Sequence, residues 1–137
     1  MSIGAGMAED VSDSLNSVGG APDGGPGAAL LALDRIERGG LVEIEASIRG
    51  DAESLVVHRD AGDGVRAWFN VCPHAGRRLD WAPGRFLVSG DGLLVCAAHG
   101  ASFELARGEC VAGPCRGESL RAVAVEVRAG MVVLAAD

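Results

Sequence analysis

The sequence predicts an all-β fold of antiparallel strands. Glycine makes up 21 of the 137 residues and aromatic residues only 4%, a composition that suits many short strands and turns better than long helices. Apolar and polar residues alternate with a period of two in several short segments, as they do in half-buried strands. Turn sequences rich in Gly, Asp and Pro separate these segments.

The first strands are predicted before residue 71. Leu30–Ile36 is predicted to form the first, and Leu41–Ile48 alternates over its whole length. Ser54–His58 and Val65–Asn70 follow, on either side of the turn sequence Asp60–Gly64. These two segments are therefore predicted to form a hairpin.

A smaller hairpin is predicted in the middle of the chain. Arg85–Ser89 is expected to pair with Leu93–Cys96 across the turn Gly90–Gly92. Proline and glycine on both sides of this hairpin break the chain into loops.

The last predicted hairpin joins Leu120–Arg128 to Met131–Ala135 through Ala129-Gly130. In its first strand the valines at 123, 125 and 127 are expected to share one face. Strands thus flank the loop-rich middle of the chain on both sides.

Two mixed pairs of metal-binding residues lie in that middle region. Cys72-Pro73-His74 and Cys96-Ala97-Ala98-His99 each supply one thiol and one imidazole, and 21 residues separate the pairs. Two Cys and two His also suit a structural zinc site. Zinc fingers, however, group their ligands as C-x-x-C and H-x-x-x-H, which this spacing does not match.

The residues around the two pairs, in order and spacing, resemble the Rieske [2Fe-2S] domain. The matching residues are Ala75-Gly76, Gly100 to Glu104, Gly108-Glu109-Cys110, Gly113-Pro114 and Leu120. The resemblance implies an antiparallel β base domain with a small cluster-binding subdomain, whose loops lie within residues 70–116. It also implies that Cys72 and Cys96 hold one iron and that His74 and His99 hold the other.

Two departures from the family pattern inform the prediction. The spacer between the pairs is longer than is usual, and the extra length is placed around Trp81–Phe86. Rieske proteins of respiratory complexes carry a disulfide and hydroxyl donors beside the cluster, at the positions of Arg77, Ala98, Ala101 and Phe103 here. Without those donors to sulfur, we expect a potential near the bottom of the family's range of roughly −150 to +300 mV. The resemblance is therefore to the low-potential ferredoxins of oxygenases.

Charge and composition limit the partners. The net charge is −7 and every basic residue is Arg, with no basic run, so nucleic acid and anionic membranes are not expected as partners. The start of the chain lacks the features of a secretory signal or transit peptide. No stretch approaches the roughly 20 apolar residues of a membrane span. We expect a cytoplasmic protein, an acidic Gly/Pro-rich disordered tail over residues 1–29, and one domain over residues 30–137.

The resemblance implies a one-electron carrier that takes electrons from a flavin reductase and passes them to a terminal oxygenase or another redox enzyme. Such a carrier is not an enzyme by itself. The alternatives are a small Rieske subunit of a larger reductase, similar to that of nitrite reductase, and a structural zinc module. A complete oxygenase would need a further two-His iron site, and only His58 remains.

Several other residues keep ordinary interpretations. Cys110 and Cys115 are either buried thiols, a local disulfide or thiols beside the cluster, and a reducing compartment favours buried thiols. His58 is expected to be a surface or packed histidine. Arg77 and Arg78 are either solvated or steer acidic groups of a partner.

Overall fold

A computed structural model describes residues 25–73, 76–96 and 100–135. Within these ranges, eleven strands form three antiparallel sheets, one of three strands and two of four. The all-β prediction is confirmed. Residues 1–24 of the predicted tail lie outside the described residues, so its disorder stays a prediction. In the described ranges, no helix is long and apolar enough to cross a membrane.

Nine of the eleven strands have five residues or fewer. Their bounds are β1 Ala29–Ala32, β2 Leu41–Ile48, β3 Asp51–Arg59, β4 Val65–Phe69, β5 Leu87–Val88, β6 Leu94–Val95, β7 Ser102–Phe103, β8 Cys110–Ala112, β9 Ala122–Val123, β10 Val125–Arg128 and β11 Met131–Leu134.

The hairpin predicted for the first half of the chain is confirmed, although its first strand, β3, begins at Asp51 and is longer than the predicted Ser54–His58. Strand β2 has the predicted bounds, and it pairs with β3 without a break from Leu41 opposite His58 to Ile48 opposite Asp51. Strand β3 then pairs with β4 across the turn predicted at Asp60–Gly64. The Asp60 carboxylate closes this turn by accepting hydrogen bonds from the backbone N–H groups of Gly62 and Gly64, both at 2.8 Å.

The first predicted strand is too long. Strand β1 ends at Ala32, and Leu33–Arg35 form a single 3₁₀ turn. The turn takes the chain away from β11 and places the Ile36 side chain in the interior, where it is fully buried. The strand ends before Ile36 because burial of this large aliphatic side chain stabilises the turn. The alternation of apolar and polar residues in the sequence does not show this.

The predicted strand Leu120–Arg128 is divided between two sheets. Strand β9 pairs with β4 and strand β10 pairs with β11, with Ala124 between them. The shared face predicted for the valines is wrong at its far end, because Val123 is buried whereas Val127 is 40% exposed. Once the chain changes sheets at Ala124, the two halves have different neighbours, and a single alternation no longer describes both.

The sheets have the orders β1-β11-β10, β2-β3-β4-β9 and β5-β6-β7-β8. The second of these, which we call the central sheet, contributes side chains to an apolar core on each of its faces. On one face Val56 and Trp68 belong to an apolar core that also contains Cys72 and Cys96, which we call the site core. On the other face Leu55 and Val57 belong to a second core shared with β1, β10 and β11, the base core. Strands β3 and β4 thus contribute to both cores, and the first cysteine loop follows directly after β4.

Candidate metal centre

The two cysteines of the mixed pairs lie on loops with the same backbone geometry. In the first, Cys72 N–H donates to the Arg77 carbonyl (2.7 Å) and Gly76 N–H donates to the Cys72 carbonyl (2.8 Å). In the second, Cys96 N–H donates to the Ala101 carbonyl (2.7 Å) and Gly100 N–H donates to the Cys96 carbonyl (2.9 Å). Each cysteine is thereby held by bonds to residues four and five positions later.

A glycine four positions after each cysteine makes this geometry possible. Gly76 has φ +68° and Gly100 has φ +74°, a left-handed conformation that side chains with a Cβ rarely adopt. The recurrence of glycine after each mixed pair therefore has a conformational cause, and it was one of the residues on which the family resemblance depended.

Both cysteine side chains lie in the site core. Cys72 and Cys96 are fully buried, together with Leu94 and Phe103. The other two predicted ligands, His74 and His99, lie outside the described residues. Two buried thiols on matched loops are a fitting donor set for the inner iron of a [2Fe-2S] cluster, because thiolate is the ligand such clusters require and burial shields it from water.

A third loop, which contains Gly113, packs against the loop that carries Cys96. At Gly113, with φ +96°, a Cβ would lie 2.8 Å from the Ala101 Cα and 3.1 Å from the Gly100 carbonyl oxygen. Only glycine allows this approach, because real Cβ atoms do not come so close to backbone. Gly113-Pro114, one of the segments on which the family resemblance depends, thus packs directly on the loop that carries Cys96.

The third loop also carries the two remaining thiols. Cys110 and Cys115 are free and 1% exposed, which is the buried-thiol interpretation favoured from the sequence. Their Sγ atoms are 3.0 Å apart, and the Cys110 S–H donates to the Ala112 carbonyl at 3.2 Å. Burial, with a smaller effect of the Cys110 thiol, raises the pKa of Cys115 to about 12.

A polar network that sequence reasoning missed joins the first cysteine loop to the central sheet. Asn70 is 1% exposed; its Oδ1 accepts from Leu79 N–H (2.8 Å) and its Nδ2 donates to Ser54 Oγ (3.1 Å). Ser54 Oγ in turn donates to Glu43 at 2.7 Å. Buried polar groups satisfied in this way hold loops in one arrangement.

Asp80 anchors the other side of the same loop. Its carboxylate is inaccessible to solvent and accepts from the Arg78 guanidinium at 2.9 and 2.8 Å and from Gly84 N–H at 3.1 Å. Burial alone would raise the pKa of Asp80, but hydrogen bonds from Arg78, Gly84 and Asn70 outweigh it and hold the pKa below its ordinary 3.8. Arg78 is therefore ion-paired to Asp80, while about half of its side chain stays exposed. The only sequence signal was an Arg two residues before an Asp.

Replacing Asp80 by Asn should lower the free energy of unfolding by about 2 kcal/mol at neutral pH, since it removes charge-assisted hydrogen bonds to a half-exposed arginine. Because the folded-state pKa is depressed, the stability contributed by ionised Asp80 is present above pH 3.8 and is lost as the pH falls towards the folded value. Urea unfolding at pH 7 and near pH 3 should show the native and variant stabilities converging in acid. A loss of equal size at both pH values would contradict this role, and Asp91→Asn, at an exposed turn, is the control.

Residues 81–86, where the extra spacer length is predicted, and the two strands after them form a small exposed structure. Ala82 and Arg85 form an isolated antiparallel bridge, and β5 and β6 pair around Gly90–Gly92 as predicted. Trp81 is 57% exposed, with the Arg85 guanidinium 5.7 Å from its ring centre.

His58 is a packed histidine and takes no part in the site. It is 7% exposed in β3, and its Nδ1 lies 3.0 Å from the Gly40 carbonyl oxygen. This agrees with the interpretation given to it from the sequence.

Comparisons with known proteins agree with the geometry. The family model of the Rieske [2Fe-2S] domain matches residues 34–128. The ferredoxin of carbazole 1,9a-dioxygenase from Nocardioides aromaticivorans IC177 superimposes with a TM-score of 0.61 at 27% identity, over 80% of this chain and 97% of that one. No curated protein matches the chain by sequence.

Larger proteins contain the same fold as a part. The terminal oxygenase of the same Nocardioides system superimposes with a TM-score of 0.63 at 21% identity, over 80% of this chain but 30% of its own length. A chain of the reduced complex between oxygenase and ferredoxin in carbazole 1,9a-dioxygenase gives 0.66 at 17% identity, over 83% of this chain and 30% of that one. These likenesses concern the fold alone.

Proposed function

The chain belongs to the Rieske [2Fe-2S] domain family, and we propose that it carries single electrons from a flavin reductase to a terminal oxygenase or a similar redox enzyme. The observation that carries the proposal is the pair of matched loops that bury Cys72 and Cys96 in one core. The similarity to a dioxygenase ferredoxin over nearly that protein's whole length supports a small separate carrier.

We assign the cluster to Cys72, His74, Cys96 and His99. Cys72 and Cys96 would bind the inner iron as thiolates, and the two histidines would bind the outer iron as neutral imidazoles. The bound cluster supplies a site that is reduced and oxidised by one electron. The chain's own residues hold the thiols by backbone hydrogen bonds, exclude water through the site core, and brace the first loop through Asn70 and Asp80.

The surface next to the loops suits weak docking to another protein. Four large apolar side chains are 46 to 57% exposed there, namely Val71, Trp81, Leu87 and Val88. Residues 70–116 carry five of the twelve arginines but only four of the nineteen acidic residues. The acidic charge of the chain therefore lies elsewhere, and an apolar surface with a few polar groups at its rim is typical of transient redox contacts.

The three histidines give a matched test of the ligand assignment. Replacing His74 or His99 by Ala should abolish the Rieske signal in the electron paramagnetic resonance spectrum of the reduced protein, because the outer iron loses an imidazole. Replacing His58 should leave that signal unchanged, since His58 lies in β3 and bonds to backbone. Loss of the signal in the His58 variant alone would refute the assignment, and equimolar zinc in place of iron and sulfide would refute the function.

The remaining assignments follow from the same features. We place residues 30–137 in one domain, supported by the family match inside that range. We place the protein in the cytoplasm, because Cys110 and Cys115 are adjacent free thiols and a reducing compartment keeps such thiols unpaired.

A further inference from the structure

A short exposed segment, residues 81–88, combines apolar and positively charged side chains. Three of the six large apolar side chains that are exposed in the described residues lie here, namely Trp81, Leu87 and Val88. Arg85 lies between them in sequence, with its guanidinium 5.7 Å from the Trp81 ring centre. We call residues 81–88 the Trp81 segment. Large exposed apolar side chains that occur together mark interaction sites more often than single ones do.

The site core holds this segment in place. Leu79, just before it, belongs to the site core, and Phe86, within it, packs against that core. Between them the Trp81 N–H donates to the Arg85 carbonyl at 2.9 Å, and the Arg85 N–H donates to the Ala82 carbonyl at 2.8 Å. The exposed side chains therefore project from a preformed turn, so a partner that binds them loses little free energy in ordering the backbone.

The segment is connected to both cysteine loops. In strand β5, Leu87 lies opposite Val95, the residue before Cys96. On the other side, the Arg77 carbonyl accepts from the Cys72 N–H, and the chain runs from there into the segment. A protein that covers the Trp81 segment would therefore cover a surface built on the core that buries both proposed cysteine ligands.

The local charge is opposite in sign to that of the whole chain. Residues 77–90 contain three arginines and one aspartate, so their net charge is +2, against −7 for the chain. The aspartate, Asp80, is inaccessible to solvent and is paired with Arg78, whereas Arg77 and Arg85 are exposed. Anionic membranes are recognised by clusters of roughly 4–8 basic residues, which this stretch does not contain. A protein surface is the better match.

We propose that the carrier docks on its redox partner through the Trp81 segment, and that the partner presents an apolar recess rimmed by carboxylates. The recess would take the Trp81 ring, and the carboxylates would pair with Arg85. Tryptophan and arginine are the side chains that contribute most at protein interfaces, and complementary charge guides the encounter and fixes the orientation. The inference rests on the proposed function, because it describes the partner of that same electron carrier.

The test measures binding of the iron-loaded protein to two defined surfaces on gold by surface plasmon resonance. One carries carboxylate-terminated and methyl-terminated chains in equal amounts, and the other carries hydroxyl-terminated chains in place of the carboxylates. At low salt the native protein should bind the carboxylate surface more tightly, although its net charge of −7 alone predicts the reverse. Voltammetry on the same gold should show that the bound protein exchanges electrons with the electrode.

Two variants, each with a matched control, locate the binding surface. Arg85→Ala should remove the preference for the carboxylate surface, whereas Arg128→Ala, which changes the net charge equally at another exposed arginine, should keep it. Trp81→Ala should weaken binding to both surfaces about threefold or more, because a large aromatic contact is lost. Val127→Ala, at another exposed apolar side chain, should bind as the native protein does.

Three results would overturn the inference. They are a native preference for the hydroxyl surface, equal losses in a variant and its matched control, and binding to phosphatidylserine vesicles that Arg85→Ala abolishes, because the segment would then bind a membrane. The proposed function would fail in a different way. Native protein that binds with the expected preferences but contains no iron and sulfide, and gives no current, would refute electron transfer while showing that the segment binds such surfaces.

Discussion

Replacing either Cys72 or Cys96 by Ala should reduce the iron content from two per chain to almost none. Each thiolate would be one of only two protein ligands of the inner iron in a Rieske centre, and both side chains are fully buried where no other ligand from solvent can substitute. The visible absorption of the cluster should disappear with the iron. Iron and sulfide analysis of anaerobically purified protein measures the effect.

Cys110→Ala provides the matched control for these two variants. Cys110 is an equally buried thiol of the same core, so a general effect of cutting back a buried cysteine would appear there too. We expect Cys110→Ala to retain iron and sulfide. Full cluster content in Cys96→Ala, or loss of iron in all three variants alike, would contradict the ligand assignment.

Phe103→Ala should lower the free energy of unfolding by about 3–5 kcal/mol, because it leaves a cavity in the site core. Phe103 is fully buried in β7, opposite Leu94 on one side and Cys110 on the other. Such a loss is a large share of the roughly 5–15 kcal/mol that stabilise an ordinary domain. Urea unfolding of the cluster-free protein measures it without interference from iron.

Two further variants test whether the cavity causes the loss of stability in Phe103→Ala. Phe103→Leu keeps most of the apolar volume and should cost about 1–2 kcal/mol. Val127→Ala, at a site 40% exposed, should change the stability by about 0.5 kcal/mol or less. A cost for Phe103→Ala no greater than that for Val127→Ala would show that the site core is not packed around this ring.

The site's framework could be read from local sequence. The spacing of Cys72 and Cys96 with their following glycines is a short-range signal, since each loop is closed by hydrogen bonds to residues four and five positions away. The β2–β3–β4 strands were predictable for the same reason, because alternation and turn residues are local properties. Gly113-Pro114 was recognised through its place in the family pattern.

Longer-range features were not predictable. The predicted strand Leu120–Arg128 divides at Ala124 because its first part pairs with β4 and its second part with β11. The residues near Ala124 do not indicate this change of partner. Asn70 and Asp80 bind partners that include backbone N–H groups, so their roles depend on where loops run in space. Cys72 and Cys115 lie in the same core although they are 43 positions apart in sequence, and the spacing of Cys110 and Cys115 alone gave no sign of this.

Strand β3 contributes alternate side chains to both cores, with Val56 in the site core and Leu55 and Val57 in the base core. Neither core can open without exposing the strand that the other core also needs. Local unfolding should therefore be limited to the loops. Any opening that reaches β3 should unfold both cores together, in one cooperative transition. The amide hydrogens of β3 would then be among the slowest in the protein to exchange with solvent. The core that contains Cys72 and Cys96 would unfold only when the central sheet unfolds.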